Sequence, residues 1–387
     1  MSHKSKPLNG KISVDYTILI LVMILISFGV IMVYSASIGY AVRDFSYTNQ
    51  YYYLFRDIVF VAIGLCAMWL TFILLDSDIL KQYTNPILLF SITCLVLVLI
   101  PHVGKAVNGS HRWLGFSLIN FQPSEFVKLA ISIYFSKFVA NSKRYLYDMK
   151  YLIKALMIIA VVIALLLKEP DLGSSVVVAV IWFNILYLSY YDIKFIVGIS
   201  LIFIIFFIDM ILIAPYRLNR VIGFINPWHD AYGIGYQLSH SLLAYGGGGI
   251  IGRGLGNSVE KMFYLPEAHT DFIMSIIAEE WGMLGLLTVI VLFFVIFYKF
   301  FVKIANMCKS LDRLFQAYLV QAIGVWLITH VCVNIGVGVG LFPTKGLTMP
   351  FVSYGGSALL IDCIAVAIVL KIDYENKHLI VNSGGVY

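Results

Sequence analysis

The stretch that decides the fold reads KFIVGISLIFIIFFIDMILIA, from residue 194 to residue 214. As a helix it is long enough to cross the hydrocarbon core of a bilayer, which is about 30 Å thick. Further apolar stretches of similar length lie on both sides of it, at 16–37, 58–76, 85–101, 122–140, 151–168, 172–191, 272–301, 314–341 and 350–371. The sequence therefore predicts an all-α, polytopic integral membrane protein with about ten transmembrane helices.

The composition excludes an ordinary water-soluble protein. Of the 387 residues, 60% are apolar and 12% are charged, whereas a soluble domain carries about 25% charged residues. The net charge of +6 does not indicate nucleic acid as a partner, because Lys and Arg in membrane proteins mark cytoplasmic loops and anionic lipid surfaces. The five cysteines show no metal-ligand spacing such as CxxC, so neither a disulfide framework nor a zinc site is indicated.

The distribution of Lys and Arg predicts the orientation. An even number of spans places both termini on one side, and most basic residues lie in the tails and loops of that side, which is therefore cytoplasmic. The chain is then a single membrane domain, residues 1–387, with cytoplasmic tails at 1–15 and 372–387 and a large outer loop at 215–270 between the seventh and eighth spans. A loop of that length is usually functional or disordered. No internal repeat supports an inverted-repeat transporter.

Several cations remain on the outer face, where the positive-inside rule disfavours them. They lie beside aromatic, Gly-rich or Pro-rich segments, and they are Arg112, Arg217, Arg220, Arg253 and Lys345. Cations kept on that face suggest an anionic ligand. Lys345 is followed by a segment rich in hydroxyls and glycine that includes Ser353 and Gly355, and backbone N–H groups beside a lysine suit a pyrophosphate.

Two acidic motifs are candidates for chemistry. Glu267, His269 and Asp271 would lie close together if a helix began near Pro266, and Asp271 would then be either a helix-capping residue or a carboxylate with a raised pKa at the membrane surface. Glu125 and Lys128 are three residues apart at the start of the fourth span. They are expected to pair, either to fix helix packing or to line a cavity. Asp171 is most simply an N-cap.

Taken together, these motifs resemble the SEDS family of bacterial membrane proteins, named for shape, elongation, division and sporulation. The resemblance extends from the first span to the last, and it is carried by Val33–Ser37, Asn226–Trp228, Gly235–Gln237, Gly256–Ser258 and Leu265–Phe272. These segments are more similar to the cell-division branch than to the rod-shape or sporulation branches. The sequence departs from the family at His111, where an Arg is common.

The resemblance implies a ten-span fold that polymerises lipid II, an undecaprenyl-pyrophosphate disaccharide-pentapeptide, at the outer face of the bacterial cytoplasmic membrane. It also implies that Asp271 is the catalytic acidic residue, and that a class B penicillin-binding protein and other division proteins are partners at the septum. Such a reaction needs one base and several cations but no general acid, since pyrophosphate is already a good leaving group.

The resulting hypothesis is an inverting glycosyltransferase with Asp271 as the base. The candidate substrate-binding residues are Arg112, Arg217, Arg220, Lys345, Glu125, Lys128, Glu267, His269, Ser353 and Gly355. No cofactor is firmly indicated; a divalent cation, Mg²⁺ or Mn²⁺, is an alternative way to share the phosphate charge, although no ligand cluster marks it. Two other functions stay open, a lipid II flippase and a non-catalytic division scaffold.

Overall fold

The computed structural model describes residues 14–44, 50–107, 110–116, 119–141, 149–188 and 192–383. Within these ranges the chain is mostly helical. The helices before the large connection are α1 (Tyr16–Asp44), α2 (Tyr52–Leu74), α3 (Ser77–Gln82), α4 (Thr84–Val98), α5 (Pro123–Ala140), α6 (Met149–Lys168), α7 (Leu172–Tyr187) and α8 (Ile193–Ile213). Those that follow are α9 (Pro215–Ile225), α10 (Tyr236–Gly248), α11 (Ile273–Tyr298), a π-helix (Lys299–Ile304), α12 (Ala305–Ser310), α13 (Leu314–Gly338) and α14 (Gly356–Asn382).

Five helical segments in the described part are long and apolar enough to cross a membrane: α1, α2, α8, the continuous run Ile273–Ser310, and α13. They differ in how much of their surface the protein covers, since two thirds of α13 is buried but hardly any of α8 is. A helix that is apolar all round and covered by its neighbours belongs to the core. Of these segments α13 therefore belongs most clearly to the core, where α5 and α7 pack against it, and α8 lies at the edge of the molecule.

A small antiparallel sheet connects α4 to α5, and the prediction of an all-α chain missed it. Its strands are β1 (Gly104–Val107), β2 (Ser110–Phe116) and β3 (Ile119–Phe121), in the order β1-β2-β3. Leu114 of β2 packs on Cys94 and Val98 of α4. At the other end, the Ser357 hydroxyl donates to the Asn120 carbonyl at 2.8 Å. The sheet is thereby held between α4 and the first turn of α14.

The glycine-rich segment after α10 is closely packed rather than loose. Gly282 interrupts α11 with a φ of 65°, and the backbone groups released there bond to the glycine-rich segment. Met283 N–H donates to the Gly249 carbonyl at 2.9 Å, and Arg253 N–H donates to the Glu279 carbonyl at 2.9 Å. A Cβ on Gly282 would lie 2.4 Å from the Gly252 nitrogen, so this crossing of two backbones requires glycine.

Two predicted segments differ from the structure. The connection between α8 and α11 is predicted as a loop in which residues 237–245 could form an interfacial helix. It contains α10 over that segment and also α9, which the sequence did not indicate. The last span was predicted to begin at 350 and end at 371, but α14 begins at Gly356 and continues to Asn382, so much of the predicted C-terminal tail is helical. The predicted N-terminal tail lies almost entirely outside the described residues.

Candidate functional site

Asp271 lies in a series of tight turns that ends where α11 begins, at Ile273. The condition that a helix begins near Pro266 is therefore not met, whereas the span predicted to begin at 272 agrees with α11. The N–H groups of Thr270, Asp271 and Phe272 all donate to the Glu267 carbonyl, at 3.2, 3.1 and 3.2 Å. Glu267 has a φ of 54°, a left-handed conformation that lets the chain reverse and prevents a regular helix.

Two neighbouring elements clamp the backbone of this turn. The Asn334 amide, on α13, donates to the carbonyls of Asp271 and Leu347, both at 2.8 Å. The Ser353 hydroxyl donates to the Thr270 carbonyl at 2.6 Å. Asp271 is thus fixed between α13 and the segment that precedes α14, which gives its carboxylate a defined position.

The Asp271 carboxylate faces Gly346. A Cβ built on Gly346 would lie 2.5 Å from Oδ2 of Asp271 and 3.3 Å from its Cγ. The absence of a side chain at Gly346 therefore leaves the space that the carboxylate uses. The Asp271 side chain is half-buried, so it keeps access to a reacting group.

Burial, reinforced by the charge of Glu267, raises the pKa of Asp271 to about 7, and the positive charges of Arg220 and Arg112 partly oppose this rise. A general base is most effective when its pKa lies near the working pH, because it is then both available and strong enough to accept a proton. Asp271 has that property. Glu267, by contrast, acts on Asp271 as a like charge, and its own carboxylate accepts a hydrogen bond from the Thr270 hydroxyl at 2.9 Å.

The four cations that the sequence singled out for a phosphate come together near Asp271. Arg112, Arg217 and Arg220 all lie within electrostatic range of Lys345. Burial and the repulsion of these arginines lower the pKa of Lys345 to about 8. Within the described ranges, none of the four makes an ion pair with a carboxylate. Their charge is therefore available to an anionic ligand.

Hydrogen bonds to backbone carbonyls hold the arginines in place. Arg112 donates from Nε to the Glu169 carbonyl at 3.1 Å and from Nη2 to the Pro170 carbonyl at 2.6 Å. Arg220 donates to the Thr344 carbonyl at 3.2 Å. Arg217 donates to the Met210 carbonyl at 2.9 Å. Neutral partners orient a guanidinium without cancelling its charge.

Glu169 was not a predicted site residue, yet it affects this cluster. Its side chain is fully buried. Burial and the charge of Asp171 raise its pKa to about 8, although Arg112 opposes the rise. At neutral pH Glu169 is mostly protonated, so it does not neutralise Arg112. Asp171 itself is the predicted N-cap, accepting from the Ser174 N–H at 3.1 Å.

Glu125 and Lys128 form the predicted pair, with Nζ to Oε1 at 2.7 Å. Both are buried, and Lys128 also contacts the His330 Nε2 at 3.0 Å. Asp362 of α14 belongs to the same buried group, since the charges of Glu125 and Lys128 both act on it. His330 connects this pair to the turn at Asp271, because His330 and Asn334 are one turn apart on α13.

The remaining predicted residues shape the site through their packing. The His269 ring lies among three tyrosine rings, 5.3 Å from Tyr40, 5.1 Å from Tyr53 and 5.6 Å from Tyr354. Gly355 precedes α14, where a Cβ would lie 3.2 Å from Thr348. Arg253, the other predicted outer cation, does not join the cluster; it pairs with Glu279 at 3.0 Å.

A divalent cation does not fit the protein groups at this site. The described residues contain no group of three or more His, Cys, Asp or Glu side chains that could hold a metal. The groups around Asp271 are mainly guanidinium and ammonium donors, which attract anions and repel metal ions. The chemistry of the donor set therefore favours phosphate binding by Arg and Lys.

The family model of FtsW, RodA and SpoVE, described as cell cycle protein, matches residues 15–378. The chain belongs to this family. A relative from Thiomonas intermedia, named "Probable peptidoglycan glycosyltransferase FtsW", is 40% identical over 381 residues, covering 97% of this chain and 92% of the relative. A relative of the same name from Coxiella burnetii is 38% identical over 373 residues, covering 95% of this chain and 98% of the relative.

Solved structures of the FtsW/RodA/SpoVE fold are also similar. One chain, from a study of how a peptidoglycan synthase complex coordinates polymerization and crosslinking, matches with a TM-score of 0.75 and 26% identity, over 94% of this chain and 98% of the other. The rod shape determining protein RodA of Thermus thermophilus matches with a TM-score of 0.68 and 24% identity, over 95% of this chain and 98% of the other. The family resemblance drawn from the sequence is confirmed.

Proposed function

We propose that this protein is a peptidoglycan glycosyltransferase that polymerises lipid II into glycan strands during septal cell-wall synthesis. The observation that carries the proposal is one carboxylate, Asp271, with a pKa raised to about 7 beside four cations that have no carboxylate partner in the described ranges. Relatives of similar length carry the name of this activity.

In the proposed reaction Asp271 removes the proton from the 4-hydroxyl of the acceptor sugar. The oxygen attacks the anomeric carbon of the donor as the bond from that carbon to the pyrophosphate oxygen breaks, and the configuration inverts. The bonding electrons leave with the pyrophosphate. Arg112, Arg217, Arg220 and Lys345 stabilise its growing negative charge, which is why no general acid is required.

The reaction places the site on the outer face of the bacterial cytoplasmic membrane. We assign the ten spans to α1, α2, α4, α5, α6, α7, α8, the run from α11 to α12, α13 and α14. Both termini are then cytoplasmic, in keeping with the distribution of Lys and Arg. The proposed partners are lipid II, a class B penicillin-binding protein that crosslinks the product, and other division proteins; the similar chain from a peptidoglycan synthase complex supports the transpeptidase partner.

The test compares the parent protein with Asp271→Asn, each purified with its transpeptidase partner in lipid nanodiscs and supplied with fluorescent lipid II. We expect the substitution to abolish glycan product, read on a gel, while lipid II binding is retained. Asp312→Asn is the matched control, because Asp312 is exposed and its φ of 54° is one that Asn adopts readily. Polymer made by Asp271→Asn at the parental rate would remove the base assignment. Absence of polymer from the parent protein would instead favour a flippase or a scaffold.

A further inference from the structure

A second group of polar and aromatic side chains lies beside the catalytic turn, on the side of His269. It consists of Tyr52, Tyr53, Arg56 and Asp57 from the first turns of α2 together with Tyr354, and is called here the tyrosine cluster. The rings of Tyr52 and Tyr53 are 5.3 Å apart, and those of Tyr53 and Tyr354 are 5.6 Å apart. The Arg56 Nη1 donates to the Tyr52 hydroxyl at 3.0 Å.

Asp57 is the unusual member of the cluster. It is 4% exposed, yet within the described ranges its carboxylate makes no hydrogen bond or ion pair, not even with the adjacent Arg56. Arg56 and Asp57 both lie within electrostatic range of Tyr354. A buried carboxylate is costly unless something donates hydrogen bonds to it. Its oxygens are not enclosed, so hydrogen-bond donors of a ligand can reach them.

The chemistry of the cluster matches a sugar ring. Tyrosines offer apolar faces with polar edges, and a carboxylate and a guanidinium together accept from hydroxyls and donate to an N-acetyl carbonyl. Tyrosines at this depth also occur as an interfacial belt that contacts lipid headgroups. That explanation leaves Asp57 unexplained, since a carboxylate repels a lipid phosphate.

The position of the cluster fits the acceptor side of the reaction. Tyr354 N–H donates to the His269 carbonyl at 3.0 Å, and the His269 ring lies against Tyr53 and Tyr354. His269 and Asp271 are two residues apart, so their Cα atoms are separated by at most about 7 Å. The Asp271 carboxylate meanwhile faces Gly346 in the segment that carries Lys345.

An in-line displacement requires the attacking hydroxyl and the leaving group to approach the anomeric carbon from opposite sides. With the pyrophosphate held at the cations around Lys345, the acceptor must arrive from another direction. We propose that the tyrosine cluster is a carbohydrate subsite that binds the N-acetylated sugar of the acceptor and directs its hydroxyl to Asp271. This inference rests on the proposed glycosyltransferase function.

The test uses saturation-transfer NMR on the full-length protein in nanodiscs, with an uncrosslinked tetrasaccharide of alternating N-acetylglucosamine and N-acetylmuramic acid as the probe. This probe carries no pyrophosphate, so it cannot act as a donor or occupy the cationic site through a phosphate. We expect the parent to bind it, and Asp57→Asn and Tyr53→Leu to weaken binding by about tenfold or more, as expected for losing a hydrogen bond to a charged group or a stacking face. Phe55→Ala is the control, since Phe55 is on the same helix turn but 63% exposed.

A second readout uses the same tetrasaccharide as acceptor for fluorescent lipid II. The KM for the tetrasaccharide should rise in both variants while kcat at saturation changes little, because the cluster binds the acceptor without touching the transferred proton. Asp57→Asn is nearly isosteric, and monodisperse elution of each variant confirms that it is folded. The subsite proposal is refuted if both variants bind the tetrasaccharide as tightly as the parent does. It is also refuted if the cluster binds anionic lipid headgroups instead of the tetrasaccharide.

The two proposals fail differently. If the parent forms no glycan from lipid II, the glycosyltransferase assignment is lost, but the NMR experiment still decides whether the cluster binds a sugar. If the parent polymerises lipid II and the cluster variants match it in binding and KM, only the subsite is lost.

Discussion

Replacing Gly346 with alanine tests whether the position of the Asp271 carboxylate limits the rate. The added Cβ would lie 2.5 Å from Oδ2 of Asp271, whereas real Cβ contacts are essentially never shorter than 3.0 Å. The carboxylate must therefore move by about 0.5 Å or more. The backbone itself tolerates the change, since Gly346 is not among the glycines with a positive φ.

The size of the effect follows from this displacement. A misplacement of about 1 Å in a reacting group costs on the order of 100-fold in rate, so Gly346→Ala should lower kcat for lipid II polymerisation by about 10- to 100-fold. The KM for lipid II should change little, because the cations that bind the pyrophosphate stay in place. Initial rates with fluorescent lipid II over a range of concentrations separate the two constants.

Gly246→Ala is the matched control for this experiment. Gly246 lies in α10, and a Cβ there meets nothing within 4 Å. Alanine is also the better helix former, by about 0.5–1 kcal/mol, so the control should be at least as stable as the parent. A Gly346→Ala enzyme that is folded and turns over at the parental kcat would refute the idea that this contact sets the geometry of the base.

The remaining predictions concern charge. The active form needs Asp271 deprotonated, with a pKa of about 7, and Lys345 protonated, with a pKa of about 8, so kcat/KM should rise through about pH 7 and fall above about pH 8. Arg220→Gln should shift both the rise and the fall of the pH profile to higher pH, because Arg220 lowers the pKa of Asp271 and of Lys345. An unchanged pH profile would contradict this electrostatic role. Lys261 and Glu280 form a fully buried ion pair at 2.6 Å. Lys261→Met should therefore lower stability by about 3–5 kcal/mol in thermal unfolding, and the double variant Lys261→Met with Glu280→Leu should recover much of that loss. An unchanged Tm in the single variant would show that the pair is dispensable.

Much of the helical framework could be predicted from the sequence because lipid imposes a strong constraint. A backbone in hydrocarbon must satisfy its own hydrogen bonds, so long apolar runs become helices whatever surrounds them. The run predicted at 194–214 is α8, Ile193–Ile213, and the run predicted at 122–140 is α5, Pro123–Ala140. The sheet at 104–121 was missed because its short strands depend on cross-strand pairing and on contacts with α4 and α14, which no local pattern reveals.

The charged residues of the site were predictable for a related reason. The positive-inside rule disfavours cations on an outer face, and on that ground the sequence predicts Arg112, Arg217, Arg220 and Lys345 as ligands of an anion. The structure brings these four together. What could not be predicted is how the base is held, since Asn334 and Gly346 acquire their roles only when α13 and the segment before α14 meet the turn at Asp271.

The sequence left two explanations for the pair Glu125–Lys128, namely fixing helix packing or lining a cavity. The contacts of Lys128 support the role in helix packing. Lys128 is fully buried and contacts His330 on α13, and the Asn334 amide one turn further along α13 holds the Asp271 carbonyl. The cost of leaving a buried charge without its partner exceeds what most single contacts contribute, so this pair constrains how α5 and α13 pack. A change at Lys128 is therefore expected to reach the base through α13 as well, so loss of activity there is weaker support for a ligand role than loss of activity at Lys345.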